Sequence, residues 1–370
     1  MIWMISCPIC KQGNKGENFC ANCRFPINIK KLKDYTAADL ELQRENLLEI
    51  MKTYSSVDLE DDFLKQAYHE FFNFNWLRPE SAIYNYMMVK ALVPYKKFLK
   101  YPLLDLGCGD GVFTSILFGG QINPLIDGYG FINLEQTDIY NNYTGSQKNI
   151  LIKKPQKIGA GIDIKENSIN NAKDLEVYDK LVVGDIRGLP FENESMASAY
   201  SNMIDDIKTE DLDKVFSEVN RTLNKAGYFI FTSPTQWFRE SLFYYPLAKK
   251  CFESNQMEEA QKMIQYDRGR SEWEPRSRQF WEQVLQKNSF RMVEYLPFLD
   301  ETLLKFWDIG FRPLFPHLFS VRESLRQEGK LSIIKPVIVE MMKNYFYKFT
   351  KVDLKNRPTF AIIIAQKVKK

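Results

Sequence analysis

Between residues 101 and 235, short apolar runs alternate with longer segments whose apolar residues recur at helical spacing. Five runs predict buried β-strands, because each is too short for a buried helix and ends at turn-forming or acidic residues. These runs are residues 103–105, 157–164, 180–185, 197–202 and 227–233, the last introduced by a turn over 224–227. Strands that alternate with helices, such as the one expected over 210–223, predict an α/β fold with a parallel sheet covered on both faces.

The first predicted strand leads into a turn with glycines at three alternate positions, Gly107, Gly109 and Gly111. Glycine suits such a turn because it adopts positive φ and, without a Cβ atom, lets a ligand lie on the backbone. The helix that follows directs free N–H groups and its positive dipole end into the same crevice, which favours an anionic group. Taken alone, the pattern leaves two interpretations open: the turn binds a nucleotide-like cofactor, or it only packs a strand against a helix.

Three stretches depart from the alternation and are interpreted as insertions in a domain that spans residues 101–370. Residues 119–156 are rich in Asn, Gly, Asp and Tyr without lasting periodicity, which is typical of a lid, a binding loop or tolerated surface. Residues 235–287 begin with a cluster of aromatic residues. Residues 300–353 carry apolar residues at helical spacing, as in a helical cap, an oligomer interface, an apolar pocket or a membrane-surface helix.

Residues 35–100 form a further region with a helical pattern ahead of this domain. Within it, Arg78-Pro79-Glu80 predicts the start of a helix, because proline is preorganised for a first helical position. The aromatic residues before this point are interpreted mainly as core.

Four of the six cysteines lie in the first 23 residues, as two Cys-x-x-Cys pairs separated by nine residues. The four are Cys7, Cys10, Cys20 and Cys23. Two such pairs can supply four thiolates to a tetrahedral Zn²⁺, and a closed four-cysteine site is structural because no position remains for a substrate or water. Metal binding would then supply the folding free energy of so short a segment. We predict a zinc ribbon over residues 1–34, with paired redox or free thiols as the alternative.

Composition and charge narrow the class of protein. Of the 370 residues, 45% are hydrophobic and 26% are charged, which is typical of a soluble globular protein. The 50 Lys and Arg against 47 Asp and Glu leave a net charge of +3, so a polyanionic partner is not required, although a local patch could still contact RNA. The cysteine pattern is unlike a secreted disulfide framework, and no window approaches the ~18 apolar residues of a membrane span. We expect a cytoplasmic location.

The motifs over residues 100–235 together resemble the class I S-adenosylmethionine-dependent methyltransferases. LLDLGCGDG resembles their first motif, GIDI their second and GDIRGLPF their third. YSNMIDDI and FSEVNRTLNKAGYFIFTSPT resemble their later strands. The resemblance implies a Rossmann-like sheet of seven strands whose last strand is antiparallel, with residues 290–298 and 359–366 as the final two. It also implies S-adenosylmethionine as the cofactor.

The resemblance further implies roles for residues at the strand ends. The glycine turn would contact the methionine and ribose parts of the cofactor, with Asp105 orienting the turn or the amino group. Asp163, with Ile164, would bind the ribose hydroxyls; the alternative is Asp127, which lies nearer the usual spacing of ~20 residues after the glycines. The other predicted cofactor-binding residues are Asp185 and Ile186 at the adenine edge, Asn202 at a strand end, and Arg78 for the carboxylate, with a structural role as its alternative.

In methyl transfer the protein mainly positions the reactants. The donor's sulfonium is already activated, so the acceptor atom need only be held in line with the methyl group. A base is needed only for a hydroxyl or a protonated amine. Asp206 is the candidate base, and capping of the following helix is the alternative for it. Trp237, Phe238 and Tyr244 are the candidate acceptor pocket, since they follow the strand where relatives build such pockets.

Three functions stay open from the sequence. The first is methyl transfer to an O or N atom of a small-molecule, glycan-type or lipid-linked intermediate. The second is methylation of an rRNA or tRNA base, with the zinc ribbon contacting RNA. The third is a non-catalytic binding module on the same fold. Peripheral membrane contact and oligomerisation also stay open.

Overall fold

The computed structural model describes residues 5–6, 13–14, 37–53, 55, 57–131, 148–267, 269–311, 314–355 and 357–368. These residues form a seven-stranded mixed sheet flanked by helices, with two small two-stranded sheets beside it. The strands are β1 (Ile5–Ser6), β2 (Gly13–Asn14), β3 (Leu103–Leu106), β4 (Gln121–Ile122), β5 (Leu151–Lys153), β6 (Gly159–Asp163), β7 (Lys180–Val183), β8 (Met196–Ser201), β9 (Leu223–Pro234), β10 (Phe290–Leu299) and β11 (Phe360–Lys367).

The strand order in the large sheet is β10-β11-β9-β8-β3-β6-β7. β11 is antiparallel to both of its neighbours, whereas β9, β8, β3, β6 and β7 pair in parallel. The predicted Rossmann-like sheet of seven strands with an antiparallel last strand is therefore confirmed. Leu106 lies opposite both Ile162 and Ser201, so the carboxyl ends of the central strands meet at one edge of the sheet. Ligands of parallel α/β sheets bind at that edge.

Helices cover both faces of the sheet. They are α1 (Ala37–Thr53), α2 (Asp62–Phe74), α3 (Pro79–Leu92), α4 (Val112–Leu117), α5 (Glu166–Leu175), α6 (Leu212–Thr222), α7 (Phe238–Ser241), α8 (Tyr244–Glu253), α9 (Met257–Asp267), α10 (Arg278–Lys287), α11 (Glu301–Ile309), α12 (Phe315–Gln327) and α13 (Leu331–Phe346). Successive residues of β11 point to opposite faces: Ile362 and Ile364 join the core under α2, α3 and α5, and Ile363 joins the core under α6 and α10.

The segment over 300–353 folds as α11, α12 and α13, so the helical cap among its interpretations is observed. This cap packs on the N-terminal helices, where the Tyr68 hydroxyl donates to the carbonyl of Lys343 over 2.8 Å. The insertion after the glycine turn is tied to the same cap by an ion pair between Asp127 and Arg322, both almost fully buried. Distant parts of the chain therefore meet on one side of the sheet.

Two predicted boundaries are wrong. Residues 224–227 are not a free turn but part of β9: Ala226 has a φ of +62°, and the pairing with β8 shifts register between Met196 and Ser198. The extra residues are thus absorbed as an irregularity within the strand. The helix expected from residue 210 begins at Leu212, because residues 209–211 form a separate 3-10 turn.

The described part of the chain contains no helix that is long and apolar enough to cross a membrane. Cys7, Cys10, Cys20 and Cys23 lie outside the described residues. Among the residues that are described, no group of three or more His, Cys, Asp or Glu side chains is arranged to hold a metal ion. The zinc ribbon therefore stays a prediction.

Candidate active site

The glycine turn joins β3 to α4 in the conformation that only glycine adopts readily. Gly107, Gly109 and Gly111 have φ values of +68°, +56° and +76°. A Cβ atom on Gly107 would lie 2.3 Å from the side chain of Met203, whereas one on Gly109 would meet no protein atom within 4 Å. Gly109 therefore leaves open space where a ligand can contact the backbone.

Asp105 lies near the end of β3, just before this turn. The hydroxyl of Tyr178 donates to its carboxylate over 2.6 Å, and only 2% of Asp105 is exposed. Burial raises the pKa of this carboxyl to about 6, against the opposing effect of the hydrogen bonds from Tyr178 and Thr114. Asp105 also borders the cavity above the turn. Its position fits either predicted role, orienting the turn or contacting the ligand's amino group.

Two cavities of about 370 Å³ and about 380 Å³ meet at Gly107, at the carboxyl edge of the sheet. The first cavity is lined by five of the predicted site residues, namely Arg78, Asp105, Gly107, Gly109 and Asn202. The second holds Asp163, Ile164, Asp185, Ile186 and Asp206, together with Gly107. Gly111, which directly precedes α4, borders neither cavity, and a Cβ atom there would lie 2.9 Å from the Tyr178 ring. Residues from four strand ends and the start of α3 are thus brought around one continuous site.

Asp163, the predicted ribose ligand, borders the second cavity. Its two oxygens accept the N–H groups of Gly109 and Lys165 at 3.0 and 2.8 Å, which fixes the carboxylate beside the glycine turn. Each carboxylate oxygen can accept a further hydrogen bond, so both ribose hydroxyls still find acceptors. Asp185 at the far side pairs with Arg187, and these hydrogen bonds lower the pKa of the Asp185 carboxyl. The side chain of Asp185 is therefore committed to Arg187 in this structure.

Asp127, the alternative ribose ligand, borders neither cavity. Its carboxylate pairs with the Arg322 guanidinium and accepts the Trp76 indole N–H at 3.0 Å and the Tyr129 backbone N–H at 3.2 Å. This carboxylate holds the insertion against the cap. The geometry thus favours Asp163 over Asp127.

Two arginines border the first cavity, each paired with a buried carboxylate. Arg78 lies just before α3 and its Nε is 3.1 Å from Glu80, which is fully buried. Arg270 follows α9 and is 3.0 Å from Asp308. The Arg270 guanidinium also lies 4.0 Å from the centre of the Trp307 ring. Arg78 is near enough to the glycine turn for its predicted role with the cofactor carboxylate, which stays a prediction.

The three residues of the acceptor pocket predicted after β9 do not meet at these two cavities. Phe238 is fully buried and stacks on Trp273 at 5.7 Å, in the core. Tyr244 is 8% exposed and packs on Tyr266, and Trp237 contacts Arg357. None of the predicted three borders the first or second cavity. The Phe238 ring instead packs on Phe360, the first residue of β11, with ring centres 5.1 Å apart.

Other aromatic residues, which no sequence pattern assigned to the site, form one wall of the first cavity. Tyr84 of α3 stacks on Trp307 of α11 with ring centres 5.2 Å apart, and both border the first cavity with Phe71 of α2. Trp307 belonged to an apolar helical pattern, but nothing in that pattern distinguished a cavity-lining residue from a core residue. Arg270 had no local signal at all.

The two neighbouring carboxylates after β8, Asp205 and Asp206, lie in different environments. Asp206 borders the second cavity, not the first, and α6 is preceded by Asp211, so Asp206 does not cap that helix either. Asp205 is 7% exposed, and burial followed by the charge of Asp206 raises the pKa of its carboxyl well above the ordinary range. At the end of β8 the residue that reaches the first cavity is Asn202. The role of Asp206 as a base therefore stays a prediction.

A family profile described as "Methyltransferase domain" matches residues 144–231, which include β6, β7, β8 and most of β9. The matched segment is similar to that family and covers less than half of the chain. With the sheet order, this match supports a class I S-adenosylmethionine-dependent methyltransferase. The glycine turn lies before the matched segment, and no curated protein sequence matches the chain.

Several solved structures are similar to this chain at low identity. An S-adenosylmethionine-dependent methyltransferase from Thermotoga maritima is 14% identical, with 80% of this chain and 91% of that chain covered and a TM-score of 0.36. Phosphoethanolamine N-methyltransferase 2 from Haemonchus contortus is 15% identical over 82% and 60%, with a TM-score of 0.38. The [4+2]-cyclase SpnF is 13% identical over 72% and 74%, with a TM-score of 0.36.

The residues of the methyltransferase domain fit S-adenosylmethionine. Gly109 leaves room against the backbone, and Asp163 retains acceptor capacity for a ribose. The cavity on the far side of Gly107 has the volume of a small-molecule pocket. Donor and acceptor would then occupy neighbouring spaces with the glycine turn between them.

Proposed function

We propose that this protein transfers a methyl group from S-adenosylmethionine to an O or N atom of a small-molecule, glycan-type or lipid-linked intermediate. The observation that carries the proposal is the meeting of two cavities at Gly107. One is bordered by the strand-end carboxylate of Asp163, which suits the ribose of a nucleoside. The other is enclosed by α2, α3 and α11, which come from outside the common sheet.

The chain's residues would act by binding and orientation. Asp163 would fix the ribose, the glycine turn would contact the donor through its backbone, and Arg78 would pair with the carboxylate. When bound, S-adenosylmethionine supplies a methyl group already activated by its sulfonium. The aromatic wall of Tyr84 and Trp307 would exclude water and hold the acceptor, and such orientation can supply several kcal/mol of barrier reduction.

The volume of the first cavity supports a small acceptor. Its total volume is about 370 Å³, at the lower end of the ~300–1,000 Å³ range for small-molecule sites, and the methionine end of the donor would take the part beside Asp105, Gly109 and Arg78. A net charge of +3 adds no support for a nucleic acid. The RNA alternative would be favoured instead by salt-dependent RNA binding that is lost when Lys30, Lys31 and Lys33 are replaced.

The test of the donor site is calorimetric titration of the full chain with S-adenosylhomocysteine. We expect one site per chain, lost in Asp163→Ala. The control is Glu166→Ala, which removes an exposed carboxylate from the first turn of α5 outside both cavities. Wild-type affinity in Asp163→Ala would overturn the ribose assignment, and no binding to the unmodified protein would overturn the proposed function.

We also propose that Cys7, Cys10, Cys20 and Cys23 bind a structural Zn²⁺. The spacing supports it, as does the antiparallel pairing of β1 with β2 on either side of the first cysteine pair, which reverses the chain there. Elemental analysis of the purified chain should find one zinc, lost in Cys7→Ser and retained in Cys251→Ser. Equal zinc content in both variants would contradict the proposal.

A further inference from the structure

A third cavity, of about 300 Å³, lies beside the candidate active site and is strongly acidic. It lies between the 3-10 turn that follows β8 and the segment before α10. Its lining includes four carboxylates, one lysine and one tryptophan: Asp205, Asp206, Glu272, Glu274, Lys208 and Trp273. Asp206 and Lys208 border the second cavity as well. We call this space the acidic cavity.

The charges in the acidic cavity do not cancel. Glu274 is paired with Arg276 at 3.0 Å, so this carboxylate is neutralised within the protein. Asp205, Asp206 and Glu272 then face Lys208 in the lining and the nearby charge of Lys165, so one negative charge is in surplus. A surplus of negative charge in a partly enclosed space attracts a cation.

Asp205 gives a second, independent sign of a missing cation. The residue is 7% exposed, and its Oδ1 atom is buried without a hydrogen-bond partner in the described part of the chain. Burial and then Asp206 raise the pKa of this carboxyl, while the positive charge of Arg276 opposes the shift. An ionised carboxylate oxygen buried without a donor is costly, and a cation beside it would offset that cost by stabilising the negative charge.

An aromatic row connects the acidic cavity with the first cavity. Trp273 borders the acidic cavity, its ring centre is 5.9 Å from that of Trp307, and Trp307 stacks on Tyr84. Burial, and then the charge of Asp205, raise the pKa of the Tyr84 phenol, so Asp205 interacts electrostatically with a member of this row. The linings of the acidic cavity and the first cavity are therefore in contact through the Trp273 and Trp307 rings.

The chemistry of the lining favours an organic cation over a metal ion. The described residues contain no group of three or more carboxylate, histidine or cysteine ligands arranged around one metal position. The volume exceeds what a single ion fills, and tryptophan attracts ammonium groups through its ring. An alkylammonium group therefore matches the volume of the cavity, its negative charge and its tryptophan ring.

We propose that the methyl acceptor carries an organic ammonium group and that the acidic cavity binds this group. The rest of the acceptor then lies along the aromatic row toward the first cavity. The inference rests on the proposed function, since it names the class of acceptor for that same site. Asp205, Asp206 and Glu272 act here as recognition residues.

The test uses the full chain saturated with S-adenosylhomocysteine and titrated with choline. The comparison probe is 3,3-dimethylbutan-1-ol, a neutral molecule of nearly the same shape. We expect choline to bind at least about tenfold more tightly than the neutral probe, because only choline carries the charge. Glu272→Gln should weaken choline about three- to fivefold, the effect of one partly exposed charge pair, and leave the neutral probe unchanged.

Matched variants separate recognition from folding. Asp205→Asn should weaken choline more than Glu272→Gln does, because Asp205 is buried. Glu272 is exposed, so its variant is informative even where Asp205→Asn does not fold. The control Glu253→Gln removes an exposed carboxylate on α8, away from the cavity, and should change neither probe.

Three results would overturn the inference: equal affinity for choline and the neutral probe, choline binding that Glu272→Gln leaves unchanged, or stoichiometric displacement of choline by Mg²⁺. The titration with S-adenosylhomocysteine is read separately. If that ligand binds and choline does not, only this inference fails, whereas failure of S-adenosylhomocysteine to bind removes the proposed function itself.

Discussion

Replacement of Gly109 by alanine tests the glycine turn, with Gly119 as a matched control. Both glycines have positive φ, +56° and +92°, and a Cβ atom on either would meet no protein atom within 4 Å. The two differ in what surrounds them. Gly109 borders the first cavity, whereas Gly119 follows the end of α4 and borders none of the cavities described above.

The expected loss of stability differs between the two variants. An alanine in the left-handed helical region, where the φ of Gly109 lies, costs ~1–2 kcal/mol. The smaller conformational freedom of alanine in the unfolded chain returns ~0.4–1 kcal/mol of this, so Gly109→Ala should lose about 1 kcal/mol of unfolding free energy. The φ of Gly119 lies beyond that region, so Gly119→Ala should lose at least as much in denaturant titrations.

The expected loss of binding is different, because only the methyl group of Gly109→Ala enters the space of the donor. We expect at least a hundredfold weaker S-adenosylhomocysteine binding in this variant, about 2.7 kcal/mol, and wild-type affinity in Gly119→Ala. Calorimetric titration measures both. Wild-type affinity in Gly109→Ala would refute the assignment of the glycine turn to the donor, and equal loss in both variants would show a general folding effect instead.

Three further predictions follow from buried ionisable groups. Asp127→Asn should lower the unfolding free energy by about 3 kcal/mol or more, as breaking a buried ion pair does, yet leave S-adenosylhomocysteine affinity unchanged; a tenfold loss of affinity in the folded variant would contradict our choice of Asp163. Burial raises the pKa of Asp105 from 3.8 to about 6, so the folded protein holds a proton that the unfolded chain releases, and stability should fall as pH rises between these values. In denaturant titrations at several pH values, Asp105→Asn should reduce this decrease in unfolding free energy by about 3 kcal/mol. The same dependence of unfolding free energy on pH in Asp105→Asn and in the unmodified protein would contradict the raised pKa of Asp105. Burial, then Lys343, lower the pKa of His69 from 6.5 to about 4, so its share of stability should be lost on acidification through this window; NMR titration resolves it easily in a chain with two histidines, and a midpoint above 6 would refute the shift.

Much of the donor site follows from local sequence alone. Glycines that take positive φ at Gly107 and Gly109, apolar runs of strand length, and the acid ending β6 are properties of a few neighbouring residues. The parallel arrangement then brings the strand ends together, because each right-handed crossover returns the chain to the same edge of the sheet. Asp163 and the glycine turn could be predicted on these grounds without knowledge of the packing.

The acceptor side required the tertiary structure. Tyr84, Arg270 and Trp307 come from three segments separated by more than a hundred residues or by whole helices, and no local period records that they meet. The same limit explains Phe238, whose aromatic character fits a pocket as well as the core in which it lies.

The sequence by itself determined the α/β sheet, the glycine turn and the strand-end carboxylates, since each depends on backbone preference or on short-range hydrophobic pattern. Only the tertiary structure decided that Asp127 is held by Arg322, that Asp205 is buried where Asp206 is not, and which helices enclose the second half of the site. Those outcomes depend on how inserted helices pack on the sheet. Packing is set by side chains far apart in the chain, so no single stretch encodes it.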